Sequence, residues 1–239
     1  DLGLDTEQFM ADLESEAVVE AVASDYQSGL DIGVQGTPAF FMDGEPFVGP
    51  TDFNSMSTLM NLLLLDEIQF SECPPMEIDL NKEYYATMHT AKGDITFQLF
   101  PDKAPMAVNN FIFLAQNGWY DDTTFHRVLP GFIAQGGDPT GTGYGSPGFA
   151  YGIEVSPDLV FDREGLLAMA NAGPTSNGSQ FFITHDNPDI IQLSGQYTIF
   201  GIVIEGMEVV YELTPRNPSA DGVIPPPGDA LLGITIEVK

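Results

Sequence analysis

Two segments of this 239-residue sequence concentrate the side chains able to do chemistry. The first, FHRVLPGFIAQGGD at residues 125–138, holds Arg127 in a chain whose only other arginines are Arg163 and Arg216. A cation this scarce among apolar neighbours can serve as a fixed donor, because a guanidinium stays protonated and carries five N–H groups in a rigid fork. The second, MANAGPTSNGSQFFIT at residues 169–184, runs from a small-residue strand end through a glycine turn to Gln180 and two phenylalanines. Period-two alternation points Gln180 and Phe182 to one side and Phe181 to the other. His126, next to Arg127 on a strand, faces away from it and reads as structural. His89 and His185 read as surface or turn residues. A Ser/His/Asp hydrolase could be drawn from Ser179, His126 and Asp138, but no G-x-S-x-G elbow supports it. The GTGYG run at 141–145 is no phosphate loop, because no helix pattern follows it. The single cysteine, Cys73, reads as a passive thiol, and no CxxC or Cys/His set has zinc spacing.

The elements that must position these residues follow from periodicity. Beyond residue 81 the texture is short strands and glycine turns. Residues 84–90 and 94–100 flank AKG as a hairpin, and further strands are expected at 165–170, 179–184, 197–203 and 234–238. Pro105 suits the first turn of a helix whose buried face is Val108, Phe111, Ile112, Leu114 and Ala115, with Gly118 past its end. A short helix is expected near 206–213. Many short antiparallel strands with two helices favour a closed barrel, which removes exposed strand edges. Upstream, residues 5–30 read as two helices, the first capped by Asp5 and the second stopping at Gly29. Residues 39–42 read as a strand and Asp43-Gly44 as a hairpin turn. Asp52 caps an apolar helix through Met56, Leu59, Met60 and Leu63. The proline-paired stretch 71–81 reads as a linker, giving an N-terminal lobe at 1–70 and a barrel at 82–239.

Composition excludes whole classes of partner. Seven basic against 35 acidic residues give a net charge of -28, which repels a phosphate backbone and an anionic membrane surface, so nucleic acid is not an expected partner. The apolar run at residues 62–65, like every other in the chain, is far short of the roughly 20 residues a membrane span needs. The chain begins at Asp1 with no basic leader before an apolar stretch, so either a leader was removed or the sequence starts inside a longer product.

From about residue 76 to 239 the sequence resembles the cyclophilins, peptidyl-prolyl cis/trans isomerases built on an eight-stranded barrel closed by two helices. The resemblance runs in order through FHRVLPGFIAQGGD, GTGYG, MANAGPTSNGSQFFIT and LSGQYTIFGIVIEGM. It implies that Arg127 is catalytic and that Phe132, Ile133, Gln135, Gly141, Ala170, Asn171, Ala172, Gln180, Phe182, Leu193 and Tyr197 line the substrate site, without cofactor or metal. Its implied partners are proline-containing polypeptides whose folding it assists. Gln192 stands where many members carry tryptophan and Tyr197 where histidine is usual, which argues against carrying over cyclosporin affinity. The alternative reading is a structural or proline-binding module of a larger, filamentous extracellular assembly.

Residues 1–70 resemble the latter part of a DsbA-like thioredoxin fold, with Thr37-Pro38 at the cis-proline loop. The first strands and the CxxC of that fold are absent. The expectation is that another segment of a longer precursor, or a neighbouring subunit through strand addition, completes the lobe, making it a site of self-association. The fold class expected is mainly β with α: a closed eight-stranded antiparallel barrel with two helices plus a small α/β partial thioredoxin-like lobe. A DsbA-like companion and an acidic surface imply an extracytoplasmic, prokaryotic setting.

Overall fold

The computed structural model describes Gly3 and residues 5–42, 44–218 and 226–239. The chain divides into two compact units, Asp1–Pro50 and Thr51–Lys239.

In the first unit, α1 (Thr6–Leu13) is capped by Asp5, whose carboxylate accepts from the N–H groups of Glu7 and Gln8. Ser15 caps α2 (Glu16–Asp31) through the N–H of Val18. This helix runs past Gly29, the expected stop, and the left-handed backbone falls instead at Gly33 (φ 83°). The strands β1 (Phe41–Met42) and β2 (Glu45–Pro46) pair as the expected hairpin; Asp43 in its turn lies outside the described residues. The Thr37–Pro38 bond is cis. No residue of α1 or α2 is buried, and Phe9, Met10, Leu13, Val19, Val22 and Tyr26 are all exposed.

The second unit opens with α3 (Phe53–Leu65), capped by Asp52 through the N–H of Ser55. Residues 71–81, expected as a linker, are laid against the barrel. Asn109 accepts from the N–H groups of Glu77 and Ile78 and donates to the Pro75 carbonyl. Just upstream, Phe70 packs edge-on to Phe113 with centroids 4.9 Å apart.

The barrel strands are β3 (Tyr84–Thr90), β4 (Gly93–Leu99), β5 (Thr123–Thr124), β6 (Arg127–Leu129), β7 (Ile133–Gly136), β8 (Leu166–Met169), β9 (Phe181–Thr184), β10 (Ile199–Glu205) and β11 (Ala230–Val238). Two helices accompany them, α4 (Pro105–Gln116) and α5 (Met207–Glu212). All nine strands join one antiparallel sheet in the order β5-β11-β3-β4-β10-β8-β9-β7-β6. The mainly antiparallel class read from sequence is borne out, with nine strands among the described residues rather than the expected eight. The edge strands β5 and β6 are consecutive in sequence and joined by residues 125–126. Across that junction the Phe125 N–H donates to the Asp229 carbonyl, and Val128 and Arg216 form an isolated bridge.

Alternation along the strands builds two separate apolar clusters, one on each face. The larger includes Phe97, Phe111, Val128, Ala134, Leu167, Phe181, Ile183 and Phe200 inside the barrel, against α4. The smaller holds Ile133, Phe161, Leu166, Ala168, Phe182, Ile190 and Ile199 on the opposite face. Burying such side chains contributes roughly 1.5–3 kcal/mol each, so both faces of β7, β8 and β9 are pinned in register.

Candidate active site

The site is set by register. Arg127 on β6 lies opposite Gln135 on β7, Gln135 opposite Phe182 on β9, Phe182 opposite Ala168 on β8, and Ala168 opposite Ile199 on β10. Directly opposed residues share a face, so these five form one row across the sheet. The adjacent row, Val128, Ala134, Ile183 and Leu167, faces the barrel interior. The guanidinium therefore stands on the face that carries the smaller apolar cluster, half-buried, with Nη1 donating to Gln135 Oε1 at 3.3 Å. Among the described residues no carboxylate lies within ion-pair distance of it.

Most of the residues expected at the site converge here. Ile133 and Phe182 belong to the apolar cluster, and Phe132, Ala170, Leu193 and Tyr197 pack on it half-buried. Phe161 stacks on Phe182 (centroids 5.8 Å, planes 17° apart) and Tyr197 meets it edge-on at 5.4 Å. Gln135, Ala170, Asn171, Ala172 and Gln180 line an adjoining cavity of about 400 Å³. Gly141 lies elsewhere, in a cavity of about 150 Å³ that α3 and Arg216 also line. The glycines facing Gln180 are Gly143 and Gly145. Sequence reading missed these two, together with Phe161, Ala168 and Ile199. The signal for the loop was the run DPTGTGYG, whose aspartate and alternating threonines favour side-chain-to-backbone turns. For the apolar residues no local signal existed, since strand pairing alone brings them together.

The neighbouring polar groups are committed to structure. His126 is buried on the opposite side from Arg127, and both its ring nitrogens lack partners among the described residues. Burial, with Arg216 and Arg127 nearby, pushes its pKa down to about 4 against the opposing pull of Asp138. His185 is buried rather than on the surface and accepts from the Gly131 N–H; burial lowers its pKa. His89 is exposed, beside Asp94 at 2.9 Å, on a strand rather than in a turn. Ser179 is buried and donates to the Gly137 carbonyl at 2.7 Å, while Asp138 holds loop N–H groups, so no hydrolytic triad is assembled. The site offers a donor, an apolar socket and amide side chains. That set suits a reaction in which no bond breaks.

Residues 85–226 match the family model "Cyclophilin type peptidyl-prolyl cis-trans isomerase/CLD". The chain belongs to this family. Peptidyl-prolyl cis-trans isomerase B of Streptomyces anulatus is 45% identical over 159 residues, covering 59% of this chain and 90% of that protein. A Mycobacterium tuberculosis peptidyl-prolyl cis-trans isomerase A is 49% identical over 135 residues, 50% of this chain and 73% of the relative. A solved cyclophilin-type isomerase of Cryptosporidium parvum superposes with a TM-score of 0.58 at 40% identity, covering 65% of this chain and 98% of that one. The same protein has been solved in the presence of the dipeptide Ala-Pro. Residues 1–61 match the model of a DSBA-like thioredoxin domain. The protein is a cyclophilin-type peptidyl-prolyl cis-trans isomerase, and its activity resides in the barrel unit.

Proposed function

We propose that Arg127 is the catalytic residue, acting on X-Pro bonds of polypeptides held by Phe132, Ile133, Phe182, Leu193 and Tyr197 around the proline ring. Gln135, Asn171 and Gln180 hold the flanking peptide. An X-Pro bond resists rotation through amide resonance, with a barrier of about 18–20 kcal/mol. Twisting it restores a lone pair on the prolyl nitrogen. A guanidinium placed to donate to that nitrogen binds the twisted state better than either planar one, which is the requirement for catalysis without acid, base or nucleophile. By analogy with loss of an oxyanion donor, such a hydrogen bond is worth about 2–4 kcal/mol, roughly a hundred- to thousandfold in rate. The observation that carries this reading is the row Arg127, Gln135 and Phe182, which puts on one face an apolar socket and a guanidinium with no ion-pair partner among the described residues. The Ala-Pro dipeptide of the Cryptosporidium structure supports the substrate class.

The test is isomerisation of an Ala-Pro peptide by the wild type and by Arg127→Ala. The expected result is catalysis in the wild type and a loss of at least a hundredfold in the variant. A wild type without activity would favour a proline-binding module of an assembly instead. The DSBA-like match and the acidic composition support action on polypeptides outside the cytoplasm of a prokaryote, testable by cell fractionation. Self-association through the N-terminal unit is testable by light scattering on the full chain.

A further inference from the structure

Hydrogen bonds, continued through the backbone of Gly143 and Gly145, connect Arg127 to a buried carboxylate that the isomerase reaction does not otherwise use. Arg127 Nη1 donates to Gln135 Oε1 (3.3 Å), and Gln135 Nε2 donates to Gln180 Oε1 (3.0 Å). Gln180 Nε2 in turn donates to the carbonyls of Gly143 (2.9 Å) and Gly145 (3.1 Å). The N–H groups of those same glycines donate to Asp138 Oδ2, at 2.6 and 3.1 Å. Asp138 is fully buried and also accepts from the N–H and hydroxyl of Thr140 and the N–H of Thr142.

The sense of every link is dictated by atom type. A backbone carbonyl only accepts, so Gln180 must turn its NH2 end to the loop and its oxygen to Gln135. Gln135 must then give its NH2 end to Gln180 and its oxygen to Arg127. An arginine has no acceptor, so the chain ends there, with one fork position spoken for and the others without a partner among the described residues. Flipping either amide would set donor against donor at one end and acceptor against acceptor at the other. The loop can present its two carbonyls this way because it wraps closely around Asp138: a Cβ built on Gly145 would lie 1.8 Å from Asp138 Oδ1.

We propose that Asp138 is a positioning residue for the isomerase. Through the 143–145 loop, Gln180 and Gln135, it fixes the direction in which Arg127 presents its remaining donors. The proposal rests on the reading of Arg127 as the catalytic residue, and the experiment separates the two.

Catalysis of a short Ala-Pro peptide, with kcat and KM resolved by NMR line shape, is compared for wild type, Arg127→Ala, Asp138→Asn and Gln180→Met. Asp138→Asn is also made in an Arg127→Lys background. Arg127→Ala is expected to be inactive. Asp138→Asn and Gln180→Met should each lower kcat about tenfold; KM should stay within about twofold of wild type for Asp138→Asn and rise for Gln180→Met, which also removes a contact to the flanking peptide. In the Lys background, where no fork remains to be aimed, Asp138→Asn should not change the residual rate by more than about twofold. Should Asp138→Asn fail to fold, judged by circular dichroism, Gln180→Met decides. The relay is overturned if Arg127→Ala is inactive while Gln180→Met and any folded Asp138→Asn keep the wild-type kcat. It is overturned equally if the Asp138→Asn loss is as large in the Lys background. A fully active Arg127→Ala removes the catalytic reading itself, and the relay with it.

Discussion

Arg127 and His126 are neighbours in sequence and opposites in environment. The guanidinium faces a socket with charge to spare, whereas the imidazole is sealed inside with no hydrogen-bond partner on either nitrogen among the described residues. A buried polar group without partners costs free energy, and replacing it by an apolar side chain of similar size is commonly neutral or stabilising. The folded-state pKa of His126, near 4, lies below its ordinary 6.5. Between those values the unfolded chain takes up a proton that the native state refuses. Stability from this group is therefore complete above about pH 6.5 and declines as pH falls toward 4, by on the order of 3 kcal/mol in all. His126→Leu is expected to match or exceed the wild type at pH 7 and to lose less stability by pH 4.5. Urea titrations at the two pH values measure this; parallel losses in both proteins would contradict it.

At the scale of elements, α4 shows how distant segments complete one another. Its N-cap, Ala104, has no side chain able to cap, and the first-turn N–H groups of Met106 and Ala107 are satisfied by Glu154, 2.9 and 2.8 Å away. Half-burial raises the Glu154 pKa, so its charge is held there by these two bonds and by the positive end of the helix. Glu154→Ala should destabilise the barrel unit by about 1–2 kcal/mol, read as a lower urea midpoint. An unchanged midpoint would show the cap to be idle. No sequence signal reported this contact, because the partner lies 48 residues away. The α4 start at Pro105, the β3–β4 hairpin and the caps Asp5 and Asp52 were all legible, since each depends on residues within one turn. The helix stop at Gly29 was misread: α2 runs two residues past it, and the left-handed glycine beyond its end is Gly33. Most of the site was legible through ordered motifs, but Gly141 was not separable from Gly143 and Gly145 without knowing how the loop wraps Asp138.

Over the whole molecule, the charge is unevenly spread. All seven lysines and arginines lie beyond residue 81, and residues 1–50 carry eleven acidic side chains and no basic one. That unit also buries nothing along α1 and α2, so little apolar packing holds those helices. Hydrogen exchange on the full chain should find the α1 and α2 amides opening far more readily than those of β3, β4 and β10. Equal protection would mean that their exposed apolar faces are covered in solution. The barrel unit, with two clusters and a nine-stranded sheet, is expected to retain the isomerase activity whatever the N-terminal unit does.

The most direct measurement is the cis/trans exchange rate of an Ala-Pro peptide while bound, followed by NMR exchange spectroscopy on wild type and Arg127→Ala at saturating peptide. Fast exchange in the wild type, and binding retained with exchange slowed at least a hundredfold in the variant, is the predicted result. Bound exchange equally fast without the guanidinium would contradict the assignment of catalysis to Arg127.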